Sequence, residues 1–216
     1  MPFLWVAGYG LSYLLFSHLA QVTSQWVLSL AMLAYICALT GWIFHTGQHR
    51  ALGLCPPRRM PGKEYGVFAL LLLLPVCNLL AAGAFAPRLP AAVLMLAVCA
   101  AEEIFFRGFL LRFLMQYGTR SAIIISSLAF ALFHWVNLLG GSGFSYTLAQ
   151  VFCAFAVGIC YGAVTVRFGS LIPCFLAHFL TNVTAAPASA GTAPWLWLCI
   201  AACGGFGICL CKNVTK

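Results

Sequence analysis

Two adjacent glutamates lie in the middle of an apolar part of the chain. Glu102 and Glu103 follow an uncharged run over residues 91–101, and they are two of only three acidic residues in the sequence. A carboxylate at the depth of a lipid bilayer costs about 3 kcal/mol on insertion scales. Because this cost is high, ionisable groups inside an apolar segment point to a function, and the pair is the first candidate site.

An arginine follows the pair at a spacing that suits an ion pair on a helix. Glu103 and Arg107 are four residues apart, so they lie on one helical face and can pair. Glu102 points about 100° away, because successive residues of an α-helix turn by that angle. One carboxylate can thus be neutralised while the other faces a cavity, and two environments indicate two roles.

Two further apolar segments carry polar side chains at helical spacing. In the first, Phe130 lies one turn from His134 and is placed to wall the pocket of the imidazole. In the second, His178 and Asn182 are four residues apart and share a helical face. Each segment therefore brings polar chemistry into an otherwise apolar environment.

These polar residues fall at similar depths in the predicted helices. A turn near Gly118–Arg120 joins two of the helices, and the 1.5 Å rise per residue puts Glu102 about 22 Å and His134 about 20 Å from it. By the same rise, His178 and Asn182 lie roughly 11–17 Å from the start of their own segment. We expect one polar site at middle depth, although nothing in the sequence shows that this last segment packs beside the other two.

The chemistry that fits such a site is peptide hydrolysis without a covalent intermediate. A carboxylate and a histidine that share a water molecule form a general-base site, and the water attacks a carbonyl. His178 and the side-chain amide of Asn182 form a second donor set that could hold the developing oxyanion. The reaction needs a water cavity within the membrane, which the polar side chains would line.

Other interpretations remain open. A Glu–Arg pair can merely tie helices together, and an asparagine often joins membrane helices by hydrogen bonds. A serine protease would need a Gly-x-Ser-x-Gly elbow, which residues 143–146 match only in part. A His-Glu-x-x-His zinc motif is absent, but two carboxylates and two histidines could bind a divalent metal in another geometry. A proton-coupled transporter, or a non-enzymatic membrane scaffold or immunity protein, would also keep such groups.

The composition places these residues in a membrane protein. The 216 residues are 63% hydrophobic and 6% charged, with a mean hydropathy of +1.02. We predict an all-α, polytopic membrane helical bundle that forms one domain over residues 1–216, with a motif-bearing core at about 91–186. The 11 cysteines lie mostly in apolar runs without a Cys-x-x-Cys pair, so we expect them to pack as small apolar side chains.

The apolar runs predict about eight transmembrane helices. They cover approximately residues 3–20, 26–45, 65–84, 91–117, 121–139, 147–166, 171–186 and 194–211. The fourth run is long enough to tilt or to extend into water. The seventh is short and polar, so we expect it to pack inside the bundle.

The basic residues predict the orientation in the membrane. With eight spans and a cytoplasmic N-terminus, one side of the membrane takes Arg50, Arg58, Arg59, Lys63, Arg112, Arg120, Arg167, Lys212 and Lys216. The opposite side keeps Arg88. We predict that both termini are cytoplasmic and that no leader is cleaved, because Met1–Trp5 lacks a basic region. The basic residues behind the net charge of +8 would then set the orientation in the membrane and contact lipid headgroups, and we expect no nucleic-acid partner.

Three blocks of the sequence resemble the CAAX-processing and bacteriocin-processing family, also called CPBP or Abi. The first is Ala101–Leu110, with the pattern Glu-Glu-x-x-x-Arg, and the second is Phe130-x-x-x-His134. The third is Gly169–Asn182, which has a Gly-Ser lead-in and ends in His-x-x-x-Asn. In this order and spacing the blocks are a specific combination that covers about residues 95–185.

The resemblance implies a glutamate-dependent intramembrane endopeptidase and suggests roles for the site residues. Glu102 would be the base, and His134 would help to position the water. Glu103 and Arg107 would organise the site. His178, together with the asparagine four residues after it, would stabilise the oxyanion.

The resemblance also implies the class of substrate, a membrane-associated peptide or protein. Members of the family act on prenylated C-termini, bacteriocin leaders or C-terminal sorting tails, and the sequence does not choose among these. We expect no cofactor, with a divalent metal left open as a mechanistic variant. The compact chain and its single basic loop favour a prokaryotic inner membrane as the location.

Overall fold

The computed structural model describes residues 24–59, 62, 66–82, 89–185 and 201–209, and these contain helices but no strand. Within them the α-helices, in chain order, are α1 (Gln25–His45), α2 (Gly66–Leu71), α3 (Leu73–Ala82), α4 (Leu89–Glu103), α5 (Leu111–Leu114), α6 (Thr119–Phe133), α7 (Phe144–Phe168), α8 (Ile172–Thr184) and α9 (201–209). The prediction of an all-helical chain is confirmed for this part of the protein.

Four helices are long and apolar enough to cross a membrane. They are Gln25–His45, Leu89–Tyr117, Thr119–Leu138 and Phe144–Phe168. Two shorter apolar helices, Gly66–Leu80 and Ile172–Thr184, accompany them. The protein is therefore an integral membrane protein. The predicted total of about eight spans is not confirmed, and the run at 3–20 lies outside the described residues.

Helix α6 shows how the bundle divides its surface between lipid and interior. One face exposes large apolar side chains: Ile124, Ile125, Leu128 and Leu132. The other face is buried and mostly small or polar: Ala122, Ile123, Ser126, Ser127, Phe130 and Ala131. An apolar outer face and a polar, close-packed inner face are typical of a helix in lipid rather than in water.

Small residues allow α6 and α7 to pack closely. A Cβ added to Gly158 would lie 3.0 Å from the Cβ of Ser127, and one added to Gly162 would lie 3.1 Å from Ile123 Cγ2. The Ser127 hydroxyl donates a 2.6 Å hydrogen bond to the carbonyl of Ile123, so it brings no unpaired polar group into the contact. Such contacts between small residues stabilise helix pairs in membranes.

The long helix Leu89–Tyr117 and the next helix form the hairpin that the sequence predicts. Gly118 makes the turn with a φ of 107°, which side chains with a Cβ rarely adopt. Within the first helix, Ile104–Leu110 is wound as a π-helix, directly after Glu103. Wide π turns are rare and are frequent at functional sites.

The loop after α1 does not form a long helix, as its glycines and prolines predict, and it docks on the turn between α7 and α8. The Leu171 amide donates to the Gly53 carbonyl at 3.0 Å, and the Ser170 hydroxyl donates to the Cys55 carbonyl at 2.6 Å. The Arg58 amide caps the end of α7 through the carbonyl of Phe168 at 2.9 Å. These bonds fix the start of α8.

Helix α8 packs against α4 and against α3. The Asn78 side-chain amide of α3 donates to the Thr181 carbonyl at 3.2 Å. Cys174, Ala177 and His178 are buried, whereas Leu176 is half exposed. The expectation that this short segment packs inside the bundle is thus correct for one of its faces, and that face carries His178 toward the glutamates of α4.

Candidate active site

Four ionisable side chains form one buried cluster. Glu103 is fully buried, Arg107 is 2% exposed, Glu102 is 6% exposed and His178 is 7% exposed. Two helices supply them, because α8 crosses α4 at the glutamate pair. Since burying charge without partners is costly, the contacts inside the cluster decide whether it is stable.

Glu103 is the centre of this cluster. Its Oε1 atom accepts a hydrogen bond from Arg107 Nη1 at 2.9 Å and another from His178 Nδ1 at 2.9 Å. The predicted pairing of Glu103 with Arg107 is therefore present, and it persists although the helix widens between the two residues. The other carboxylate oxygen, Oε2, is buried and has no hydrogen-bond partner.

His178 lies between the two carboxylates. Its Nε2 atom is 3.5 Å from Glu102 Oε2, on the side of the ring opposite Glu103. Because Nδ1 donates to Glu103, only Nε2 can exchange a proton with Glu102. The geometry thus links the two glutamates through one imidazole, a link that the sequence does not reveal.

His134 lies at the end of α6 and faces the same cluster. Its Nδ1 atom is 2.9 Å from the carbonyl of Phe130, one turn earlier. A carbonyl can only accept, so Nδ1 carries the proton and the Nε2 lone pair of the neutral ring is left for a water or a substrate. Glu102, His178 and Arg107 all lie within electrostatic range of this ring.

Phe130 walls both imidazoles. Its ring makes edge-on contacts with His134, at 4.8 Å between centroids, and with His178, at 5.7 Å. The guanidinium of Arg107 lies over its face at 4.2 Å from the centroid. Phe130 therefore does more than the sequence predicts, because it also holds the arginine that neutralises Glu103 by a cation–π contact.

The three sequence blocks and the buried cluster all lie within one segment of the chain. Residues 84–184 match the family described as type II CAAX prenyl endopeptidase, Rce1-like. This segment is similar to the Rce1-like family. The match agrees with the resemblance to the CPBP family, whose members include membrane proteases. No curated protein and no solved structure matches the chain.

The matched segment includes two site neighbours that sequence reasoning did not single out. Tyr161 is buried on α7, with its ring 5.5 Å from the Arg107 guanidinium and 6.2 Å from the His178 ring. Cys99 lies on α4, where its sulfur accepts a 3.2 Å hydrogen bond from the Asn182 side-chain amide. Both positions look like ordinary packing residues in an apolar run, so no spacing signal marks them.

Asn182 and His178 both lie beside Cys99 of α4. The sequence groups Asn182 with His178 as one donor set, but its amide bonds Cys99 while the two ring nitrogens of His178 face carboxylates. An amide nitrogen has two hydrogens, so the second one remains for another acceptor. The joint role of His178 and Asn182 stays a prediction.

The sequence leaves open whether the glutamates and histidines bind a divalent metal. In the part of the chain that the structure describes, no group of three or more His, Cys, Asp or Glu side chains could hold a metal ion. All nine cysteines in this part are free thiols, in line with their expected role as packing residues.

Proposed function

We propose that the protein is an intramembrane endopeptidase in which Glu102 activates the attacking water. One observation carries the proposal: Glu102 lies beside His178, and His178 is anchored through Glu103 to Arg107. Because Arg107 forms its ion pair with Glu103, Glu102 is the carboxylate of the cluster that is free to act as a base. The Rce1-like match supports the reaction class.

The attacking water would be held between Glu102 and His134. The fixed tautomer of His134 presents a lone pair at Nε2, which accepts one hydrogen of the water. Glu102 removes the other proton as the water oxygen attacks the carbonyl carbon of the scissile peptide. General-base assistance of this kind contributes about 10²–10⁴-fold to a rate.

Glu103, Arg107 and His178 would keep Glu102 in its working position. Arg107 neutralises Glu103, and Glu103 orients the His178 ring so that Nε2 faces Glu102. A buried, hydrogen-bonded scaffold of this type keeps its dipoles aligned without reorganisation during the reaction. These three side chains act on the reaction through their effect on Glu102.

The tetrahedral intermediate would be stabilised by the Asn182 amide. Its second N–H donates to the oxyanion while the first stays with Cys99. Collapse of the intermediate breaks the C–N bond, and protonated Glu102 returns its proton to the leaving amine. The products are a new carboxylate and a new amine, and no covalent enzyme intermediate forms.

The substrate would be a membrane-associated peptide or protein. The outer faces of the helices are apolar, with Leu80 at 80% exposure as the extreme case. A short apolar peptide could enter laterally between helices from the surrounding lipid. A prenylated C-terminus, a bacteriocin leader and a C-terminal sorting tail all meet this description.

The test is a cleavage screen with a matched variant. Full-length protein and Glu102→Gln are reconstituted and incubated with membrane-anchored peptides of the three classes, with and without a chelator, and products are read by mass spectrometry. Cuts made by the wild type, lost in Glu102→Gln and unaffected by the chelator support the glutamate–water mechanism. Equal cutting by both proteins contradicts it, and loss on chelation that metal restores supports the metal-dependent variant instead.

A further inference from the structure

A basic cavity lies at the end of the bundle where α7 ends. It has a volume of about 370 Å³ and is lined by Arg50, Cys55, Pro56, Arg58 and Gly169. The backbone around the cavity is held in place by hydrogen bonds between the loop after α1 and the α7–α8 turn. None of its lining residues belongs to the glutamate cluster or takes part in a step of the proposed reaction.

A glycine in left-handed conformation makes room for an arginine at this cavity. Gly169 has a φ of 67°, and a Cβ there would lie 2.8 Å from Arg58 Nε. The Arg58 guanidinium thus lies against bare backbone, in a space that the side chain of another residue would fill. Nearby, Gly53 also has a positive φ, of 80°, and its backbone lies close to the Leu171 nitrogen.

The arginines near this cavity have no carboxylate to balance them within the described residues. The two glutamates described there, Glu102 and Glu103, belong to the buried cluster. Arg58 and Arg112 lie close enough to repel each other, and the Nε of Arg112 is buried without a hydrogen-bond partner. The cavity arginines Arg50 and Arg58 are exposed and therefore available to an anion from outside the described residues, and planar guanidinium suits phosphate oxygens.

A second space, an apolar groove of about 330 Å³, lies next to this cavity. Pro57 lines the groove, whereas its neighbours Pro56 and Arg58 line the cavity, so one short segment borders both spaces. Leu72 and Leu176, each about half exposed, line the groove and open it to the outer face. An anion held at the cavity can therefore carry an apolar chain.

We propose that the cavity and the groove together bind one anionic phospholipid, with its phosphate at Arg50 and Arg58 and an acyl chain along Leu72 and Leu176. The charge of the cavity and the apolar lining of the groove match the two ends of this molecule. The bound lipid would join the loop after α1 to the start of α8. It would thereby brace the helix that carries His178.

The test compares two adjacent arginines. Full-length protein is analysed by native mass spectrometry with phosphatidylglycerol, with phosphatidylcholine and with inorganic phosphate alone. Arg58→Gln should weaken phosphatidylglycerol binding about fivefold, since one basic residue at an anionic lipid surface contributes about that factor. Arg59→Gln is the matched control, because Arg59 does not line the cavity, and it should bind as the wild type does.

A second pair of variants tests the groove. Leu72→Trp fills it and should weaken phosphatidylglycerol binding, whereas Leu80→Trp, at an exposed position of α3 outside the groove, should not. Equal losses in Arg58→Gln and Arg59→Gln overturn the site in favour of surface charge alone. Inorganic phosphate that binds as tightly as the lipid, together with an inert Leu72→Trp, assigns the cavity to free phosphate and overturns the lipid. Should Arg58→Gln fail to fold, Arg50→Gln answers the same question.

Discussion

His178 Nδ1 and Glu103 Oε1 lie 2.9 Å apart, although the two residues are 75 positions apart in the chain. Together with the bond from Asn182 to Cys99, this contact fastens α8 to α4 inside the bundle. It also fixes the imidazole so that its other nitrogen faces Glu102. The fold and the chemistry of the site therefore depend on the same hydrogen bond.

The pair of Glu103 and Arg107 should behave as one unit in stability measurements. Glu103→Gln alone or Arg107→Met alone should lower the free energy of unfolding in micelles by roughly 3–5 kcal/mol, because each leaves a buried charge without its partner. The double variant should regain part of this loss. Additive losses in the double-mutant cycle would contradict a direct coupling between the two side chains.

The Asn182 amide should matter for turnover more than for substrate binding. Asn182→Ala removes the proposed oxyanion donor and should lower kcat by about 10²–10³-fold with little change in KM. Cys99→Ala is the control, because it removes a neighbour of Asn182 and His178 and leaves the amide donor itself in place, and it should have a much smaller effect. Equal falls in kcat for both variants would mean that the Asn182–Cys99 contact, rather than the donor itself, is what the reaction needs.

Tyr161 should act through its ring and not through its hydroxyl. The ring packs near Arg107 and His178, so Tyr161→Phe should keep activity and thermal stability near the wild-type values. Tyr161→Ala removes a large buried ring and should cost about 3–5 kcal/mol in the free energy of unfolding. An inactive but stable Tyr161→Phe protein would instead assign the phenol a part in the reaction.

The contact between α9 and α7 should distinguish two glycines on the same helix. A Cβ on Gly207 would lie 2.7 Å from the Cys160 backbone nitrogen, whereas nothing lies within 4 Å of a Cβ on Gly205. Gly207→Ala should lower the melting temperature because backbone has to move. Gly205→Ala should be neutral or slightly stabilising, since alanine favours the helix by up to about 1 kcal/mol. The measurement is the melting curve of each variant. Identical melting temperatures for the two variants would mean that Gly207 does not contact the Cys160 backbone.

Much of the site follows from the sequence because helical spacing is a local property. The Glu103–Arg107 pair and the Phe130–His134 contact both lie within one turn, and both are present in the structure. The turn at Gly118 is also local, since the glycine adopts a φ that other residues avoid. For the runs between residues 26 and 186, the described helix bounds agree with the apolar runs within a few residues.

Contacts between helices could not be predicted in the same way. The approach of His178 to both glutamates depends on how α8 crosses α4, and no periodicity within either segment encodes that crossing. Cys99 and Tyr161 gain their places at the site only through tertiary packing, so in the sequence they resemble any other apolar neighbour. The predicted number of about eight spans stays unconfirmed, because the run at 3–20 and part of the run at 194–211 lie outside the described residues.

The short length of α8 has a consequence for the surrounding lipid. Its 13 residues measure about 20 Å, whereas the hydrocarbon layer of a bilayer is about 30 Å thick. Hydrophobic mismatch of this size is met by thinning of the bilayer beside a short helix. We expect such thinning to bring bulk water nearer to the glutamates on the side of the protein where α8 lies, and so to shorten the path of the water that hydrolysis would consume.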